Sequence, residues 1–179
     1  MKIFYIRHGQ TDWNLAGKMQ GGETEKNLNK TGIEQALQTQ KKLENIKYDI
    51  IISSPMNRAK QTAKIINEKN NINIVFDERL RERKLGDLEG NKVTEKTEKM
   101  IWDYNKNYDI PQGENLYDFE KRILEFLEDI KIKYKNKTVL IVAHGGVGKI
   151  IKKYLYGIPK SNNLSDVDMK NCEVIEADI

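Results

Sequence analysis

Cysteine and histidine are scarce in this sequence: one cysteine, Cys172, and two histidines, His8 and His144, occur in 179 residues. A single cysteine excludes an internal disulfide and is typical of a reducing compartment. The chain also lacks a Cys/His cluster with the spacing of a metal site. We therefore expect no resident metal, and we interpret Cys172 as a buried, inert thiol.

Long apolar runs and blocks of one charge are lacking too. The stretch MKIFYIRHGQ reaches Arg7 after only a few apolar residues, too few for a signal peptide or a membrane span. The 31 basic and 27 acidic residues, net charge +4, are interleaved and form no nucleic-acid-binding tail. We expect a cytoplasmic protein with no nucleic-acid or membrane partner; the sequence does not indicate its oligomeric state.

Strand-like and helix-like segments alternate along the chain. Apolar, β-type runs lie at 2–6, 49–53, 73–76, 138–143 and 173–177. Apolar residues recur every three or four positions over 115–135, which predicts an amphipathic helix. Further helices are predicted at about 31–45, with Thr31 and Glu34 at capping-box spacing behind Asn29, and at about 56–68. The alternation and the length predict one α/β domain over 1–179, a three-layer α/β/α sandwich with a mostly parallel central sheet.

The stretch VLIVAHGGVGKI, residues 139–150, has the general form of a phosphate loop. A phosphate loop G-x-x-x-x-G-K-[ST] needs a glycine where Ala143 stands and a hydroxyl where Ile150 stands. Only Gly148 and Lys149 fit the pattern. A magnesium-dependent nucleotide site is therefore disfavoured.

Three strand-like runs end in residues suited to binding an anion. Arg7-His8-Gly9 follows the first run, Ser53-Ser54-Pro55 leads from the second to Arg58, and His144-Gly145-Gly146 follows the fourth. In α/β sheets, ligands bind beyond the carboxyl ends of the strands, so these residues are expected to share one crevice. The pattern also predicts that Gly9 and Gly145 let the backbone approach a ligand, and that a helix starting near Gly146 points its positive end at an anion.

Four blocks in this order resemble the signatures of the histidine phosphatase superfamily, the phosphoglycerate mutase-like fold. They are R-H-G-Q-T-D-W-N at 7–14, S-S-P-M-N-R-A-K-Q-T-A at 53–63, L-R-E-R-K-L-G-D-L-E-G at 80–90 and A-H-G-G at 143–146. Weaker matches include Q-G at 20–21 and P-Q-G-E at 111–114. Each block alone is weak, but their number and order are specific.

The resemblance implies a mechanism. His8 would attack phosphorus and become a phosphohistidine, and Arg7 and Arg58 would keep its imidazole neutral while binding phosphoryl oxygens. His144 would complete the phosphate pocket. Glu82 would be the general acid; the alternative is that it is one more surface charge in RLRERK.

The resemblance also places secondary contacts. Further phosphate-binding positions are Asn14, Gln20, Gly21 and Gly145. Thr11 would orient the loop, and Asn14 would also suit a helix cap or turn. Neither a metal nor another cofactor is implied, because arginine and imidazole groups supply the positive charge.

The segment at about 91–114 is expected to form a lid that carries specificity. It is too short for the basic insertion that relatives with mutase activity use, which favours hydrolysis over phosphoglycerate mutase-type transfer. Trp102 would anchor it, whereas Arg83 or Lys84 could contact a second anionic group of the substrate. The expected ligand is a small phosphomonoester, with α-ribazole phosphate or a sugar phosphate as candidates; a phosphoryl-binding module without turnover is the remaining alternative.

Overall fold

Strands and helices alternate along the chain in the computed structural model, which describes residues 1–179. The strands are β1 Lys2–Arg7, β2 Ile50–Ser53, β3 Ile74–Phe76, β4 Thr138–Ala143 and β5 Val174–Asp178. The helices are α1 Asp12–Leu15, α2 Lys30–Lys42, α3 Asn57–Asn67, α4 Glu95–Ile101, α5 Leu116–Lys133 and α6 Gly145–Tyr156. Short 3₁₀ turns lie at Glu78–Leu80, Gly86–Leu88 and Leu164–Asp166. No helix is long and apolar enough to cross a membrane.

The central sheet has the strand order β3-β2-β4-β1-β5, and every neighbouring pair is parallel except β1 with β5. The predicted α/β class with a mostly parallel sheet is therefore confirmed. In the register, Arg7 lies opposite Ala143 and Ser53 lies opposite Val142. The residues that follow these strands, among them His8 and His144, consequently emerge side by side at one edge of the sheet.

Helices cover both faces of the sheet, which confirms the three-layer architecture. Phe4, Ile6, Leu140 and Val142 point toward α3, and α2 packs beside that helix. The alternate residues of β1 and β4 point to the other face and pack with α5 and α6. Because side chains alternate along a strand, the two central strands are buried on both faces.

The two longest helices show how local sequence sets helix ends. The predicted stripe of α5 is buried from Leu116 to Ile130, and Asn115 caps the helix by accepting from the Asp118 N–H at 2.9 Å. The capping box predicted at Thr31 is wrong, because α2 begins at Lys30. Its cap is Asn29, whose side chain accepts from the Gly32 N–H at 2.9 Å.

The segment at 91–114 contains a helix, α4, that the sequence did not predict. Thr94 and Thr97 form its capping box. Ile101, Trp102 and Ile110 from this segment are buried in the larger of the two apolar clusters, together with α5 and α6. The segment is thus packed into the body of the domain.

Candidate active site

A cleft of about 660 Å³ opens at the carboxyl ends of β1 and β4. Six of the predicted catalytic and phosphate-binding residues line it: Arg7, His8, Asn14, Gln20, Glu82 and Gly145. Two others, Arg58 and His144, are fully buried and contact His8. Residues from all four blocks of the sequence therefore meet at one place.

The two histidines lie side by side because of the strand register. Each is the first residue after its strand, and those strands are neighbours in the sheet. Their ring centroids are 5.3 Å apart, in an edge-to-face arrangement. The His8 ring is 2% exposed, and His144 is completely buried.

Arg58 connects the two imidazoles. Its Nε donates to Nε2 of His8 and to Nδ1 of His144, at 3.2 Å in both cases. Its Nη1 donates to the carbonyl of Thr24 at 2.8 Å, and its Nη2 to the carbonyl of Gly21 at 3.1 Å. Gly21, expected as a phosphate contact, therefore does not reach the cleft; its carbonyl binds the Arg58 guanidinium instead.

The hydrogen bonds fix which nitrogen of each ring is free of a proton. His8 Nδ1 lies 2.7 Å from the carbonyl oxygen of Gly9, which can only accept, so Nδ1 carries the proton and Nε2 has the lone pair. Nδ1 of His144 accepts from Arg58, so its Nε2 is the donor to Ser54 Oγ at 2.7 Å. Both rings thus direct a lone pair at the same guanidinium.

Burial keeps both rings neutral. It lowers the pKa of His8 well below its usual value, and the positive charges of Arg58 and Arg7 lower it further. Burial and Arg58 likewise hold the pKa of His144 well below its usual value. Burial also lowers the pKa of Arg58, to about 10, so the guanidinium keeps its proton at neutral pH while the imidazoles lose theirs.

Hydrogen-bond donors without partners lie around His8. Nε of Arg7 and Nε2 of Gln20 are both buried and unbonded. The Thr11 hydroxyl donates to Oε1 of Gln20 at 2.7 Å, and the Thr11 N–H donates to Oδ1 of Asn14 at 3.1 Å. Thr11 therefore orients both amides with their NH₂ groups toward the cleft. Because buried donors are rarely left unpaired, this arrangement favours an anionic ligand.

Glu82 reaches the cleft beside the first turn of α6. Its Oε2 accepts from the Gly146 N–H and its Oε1 from the Arg83 N–H, both at 2.9 Å. A side chain on Gly146 would overlap this carboxylate, which explains the glycine. The first turn of α6 thus faces an anion, and at the Gly146 N–H that anion is the carboxylate of Glu82.

Other contacts around His8 were not apparent from the sequence. The Gly9 N–H donates to Oγ1 of Thr62 at 3.1 Å rather than to a ligand, and a Cβ on Gly9 would overlap the backbone of Gly32. Asn171 Nδ2 donates to the His8 carbonyl at 2.9 Å. Thr62 lies within a recognised block, whereas nothing in the sequence around Asn171 signals its position.

The segment containing α4 forms one wall of the cleft, through Val93, Glu98, Ile101 and Trp102. Arg83, which is 1% exposed, joins this wall to the Glu82 loop by donating to the carbonyls of Ile101 and Glu114. Nη2 of Arg83 is buried without a partner, so Arg83 keeps one unpaired donor among the residues that line the cleft, whereas the exposed Lys84 lies outside it. Trp102 packs on Phe119, with ring centroids 6.1 Å apart, and so both anchors the segment and lines the cleft.

Comparisons with known proteins agree with this arrangement. The model of the histidine phosphatase superfamily (branch 1) matches residues 3–179. The uncharacterized phosphatase PhoE of Bacillus subtilis (strain 168) is 38% identical over 177 residues, covering 97% of this chain and 89% of that protein.

Two solved structures are similar over nearly the whole chain. The α-ribazole phosphatase of Shigella flexneri is 25% identical with a TM-score of 0.84, covering 100% of this chain and 91% of that one. The phosphoserine phosphatase of Entamoeba histolytica, solved in complex with 3-phosphoglyceric acid, is 27% identical with a TM-score of 0.81, covering 98% and 89%.

Proposed function

This chain belongs to the histidine phosphatase superfamily and is a phosphoric monoester hydrolase, and from that premise we propose that it cleaves a small phosphomonoester, without a metal ion, through a phosphohistidine at His8. The observation that carries the proposal is the neutral, buried His8 ring, whose Nε2 has a lone pair beside Arg58 in a cleft that is also lined by Arg7 and by the amides of Asn14 and Gln20. A nucleophile needs such a lone pair, and a phosphoryl group needs such donors.

The first step forms the phosphoenzyme. Nε2 of His8 attacks phosphorus, and the bond between phosphorus and the ester oxygen breaks. Arg7 Nε and the amide groups of Asn14 and Gln20 donate to the phosphoryl oxygens, and the positive charge of the buried Arg58 stabilises their negative charge, while His144 accepts from Arg58 and so holds the guanidinium in place. Hydrogen bonds to charged groups contribute about 1.5–3 kcal/mol each, so several together give strong transition-state binding.

Glu82 supplies the proton that the leaving oxygen needs. Its carboxyl lines the cleft beside the phosphate end and is held in place by two backbone N–H groups. In the second step the resulting carboxylate takes a proton from water, which attacks phosphorus and frees His8. A module that only binds phosphate has no use for this group, which argues against the non-catalytic alternative.

Hydrolysis fits the cleft better than mutase-type transfer. A mutase must bind an intermediate with two phosphoryl groups, and the resemblance implies that relatives with mutase activity do so with basic residues of an insertion in the 91–114 segment. The lysines of the 91–114 segment, Lys92, Lys96, Lys99 and Lys106, are all exposed, and none of them lines the cleft. α-Ribazole phosphate and sugar phosphates remain the candidate substrates.

Phosphate release from p-nitrophenyl phosphate by the wild-type protein and the His8→Ala variant tests the proposal. We expect His8→Ala to lose turnover and to lose the acid-labile phosphoenzyme that rapid quenching traps in the wild type. EDTA should leave wild-type turnover unchanged, and 3-phosphoglycerate isomerisation should be absent. Unchanged turnover in His8→Ala would overturn the assignment, and loss of activity in EDTA would overturn metal independence.

A further inference from the structure

Resting on the proposed function, we infer that Arg122 on α5 is a positioning residue for the general acid Glu82. Arg122 lies outside the sequence blocks that pointed to the site, and it does not line the cleft. It acts on the backbone of the loop that carries Glu82, which its guanidinium binds from the side of α5.

All five N–H groups of the Arg122 guanidinium have acceptors. Nη1 donates to the carbonyl of Arg81 at 2.8 Å and to that of Arg79, and Nη2 donates to the carbonyl of Glu82 at 3.1 Å. Nε and Nη2 also donate to the two carboxylate oxygens of Glu114, at 2.7 and 2.9 Å. Because a guanidinium holds its five donors in a fixed plane, these bonds fix the loop at three carbonyls.

Glu114 binds the other end of the same loop. Its N–H donates to the Lys84 carbonyl at 2.9 Å, and its own carbonyl accepts from Nε of Arg83 at 2.8 Å. The ion pair with Arg122 is bidentate and largely covered, with side chains 21% and 17% exposed, so it is stronger than a surface pair. The loop is therefore bound to this pair on both sides of Glu82.

The helix that carries Arg122 is a rigid base for this contact. Phe119 and Ile123, which lie near Arg122 on α5, are fully buried in the larger apolar cluster. The Arg122 guanidinium also lies 4.7 Å from the centre of the Phe119 ring. The packed core thus fixes the guanidinium, and the guanidinium fixes the loop.

The carboxyl of Glu82 depends on this backbone anchor. Its own two hydrogen bonds, from the N–H groups of Gly146 and Arg83, orient it only while the backbone of residue 82 stays in place. A displacement of about 1 Å can cost about a hundredfold in rate. Loss of the anchor should weaken proton donation but leave the phosphate end intact, because Arg122 bonds to none of the phosphate-binding side chains.

Arg122→Lys tests the inference, because lysine keeps the charge but lacks the planar set of five donors. We expect kcat/KM for an alkyl phosphate, glycerol 3-phosphate, to fall about tenfold or more, and that for p-nitrophenyl phosphate to fall less than about twofold. This ratio reports the phosphorylation step, in which only the alkyl oxygen needs full protonation. The inhibition constant of inorganic phosphate, which measures the phosphate end alone, should change by less than about twofold.

A double variant separates positioning from general damage to the fold. In a Glu82→Gln background, Arg122→Lys should have almost no further effect on the alkyl phosphate, because the acid that it positions is gone. Asp129→Asn is the matched control, since it removes an ion pair between α5 and the side chain of Arg79 but leaves the carbonyl contacts; it should leave both substrates unchanged.

Glu114→Gln is the second variant in case Arg122→Lys does not fold, and it should show the same selective loss for the alkyl phosphate. Equal losses for the two substrates, no loss, or a full additional loss in the Glu82→Gln background would overturn the inference. Turnover that survives in His8→Ala would instead overturn the proposed function.

Discussion

Glu82 shows how a residue that resembles a surface charge acquires a chemical role from its surroundings. It lies in the charged stretch RLRERK, yet its carboxylate is fixed by the N–H groups of Gly146 and Arg83 and faces the cleft. Two fixed hydrogen bonds leave the carboxyl few orientations. A proton donor must be held at a defined distance from the leaving oxygen, and these bonds provide that constraint.

Replacing Glu82 with Gln should slow the cleavage of alkyl phosphates by about 10²–10⁴-fold, the usual contribution of general acid catalysis. Aryl phosphates such as p-nitrophenyl phosphate should be affected much less in the phosphorylation step, because an aryl oxide leaves without full protonation. Burst-phase kinetics separate this step from hydrolysis of the phosphoenzyme. Glu78→Gln, an exposed change four residues earlier, is the control. Equal losses for the two substrate types would exclude Glu82 as the acid.

At the residue scale, the sequence indicated the groups that carry charge or lone pairs but not the groups that hold them. His8, Arg58 and His144 were found because each follows a strand in a recognisable block. Ser54 and Asn171 were not assigned roles, because their contacts depend on how separate strands and loops are placed. Gly21 was misassigned as a phosphate contact. Its backbone carbonyl accepts a hydrogen bond from Arg58, and a sequence motif does not reveal the contacts of a backbone carbonyl.

At the scale of elements, strand register sets the geometry of the site. Ser53 pairs with Val142, so Ser54 follows β2 next to the end of β4, where its hydroxyl accepts from Nε2 of His144 at 2.7 Å. This bond holds the proton on Nε2 and leaves Nδ1 to accept from Arg58. Ser54 is thus a positioning residue that acts through His144.

Ser54→Ala should lower kcat about five- to tenfold, the effect of losing one neutral hydrogen bond of about 1 kcal/mol, with little change in KM. Ser54→Thr, which keeps the hydroxyl, should restore much of the loss. Ser53→Ala is the matched control, because that equally buried hydroxyl donates only to the Ser54 carbonyl, at 2.9 Å. If both alanine variants behave alike in steady-state assays, the effect is one of packing and the positioning role is excluded.

Helices with a long apolar periodicity were predictable from the sequence. Helices whose formation depends on tertiary contacts were poorly predictable. α5 was located because its apolar stripe runs over five turns, and the predicted ends lie within two residues of those observed. α4, with the sequence EKTEKMI, is too short and too polar to show a stripe, and its Ile101 becomes apparent only when the segment packs on α5 and α6. The strand order could not be read from the chain, because pairing between β1 and β4 joins segments 136 residues apart.

At the scale of the whole molecule, the site places polar groups in an interior that would be more stable without them. His8, His144 and Arg58 are all buried, and the guanidinium keeps its charge while both imidazoles stay neutral. The fold supports this arrangement by binding the guanidinium to backbone carbonyls and the rings to Gly9 and Ser54. Protonating either ring would add a second positive charge beside Arg58 at a buried position.

This arrangement makes stability depend on pH. Both histidines have a lowered pKa in the folded protein, whereas in the unfolded chain their pKa is about 6.5. Below about pH 6.5 the unfolded chain therefore binds more protons than the native protein, and stability falls as the pH falls. Above that value neither state protonates the rings, and the histidines contribute no pH dependence.

We expect the free energy of unfolding, measured by urea titration in buffers without phosphate, to be nearly constant from pH 8 to 7. Between about pH 6 and 5 it should fall by up to about 1.4 kcal/mol per pH unit for each histidine, or roughly twice that for the pair. His8→Gln removes one of the two titrating rings and should roughly halve the slope. The exposed carboxylates that form ion pairs, such as Asp49, titrate at lower pH and contribute little in this window. A slope near zero between pH 6 and 5 would mean that the rings take up protons in the folded state, which contradicts a neutral His8 nucleophile.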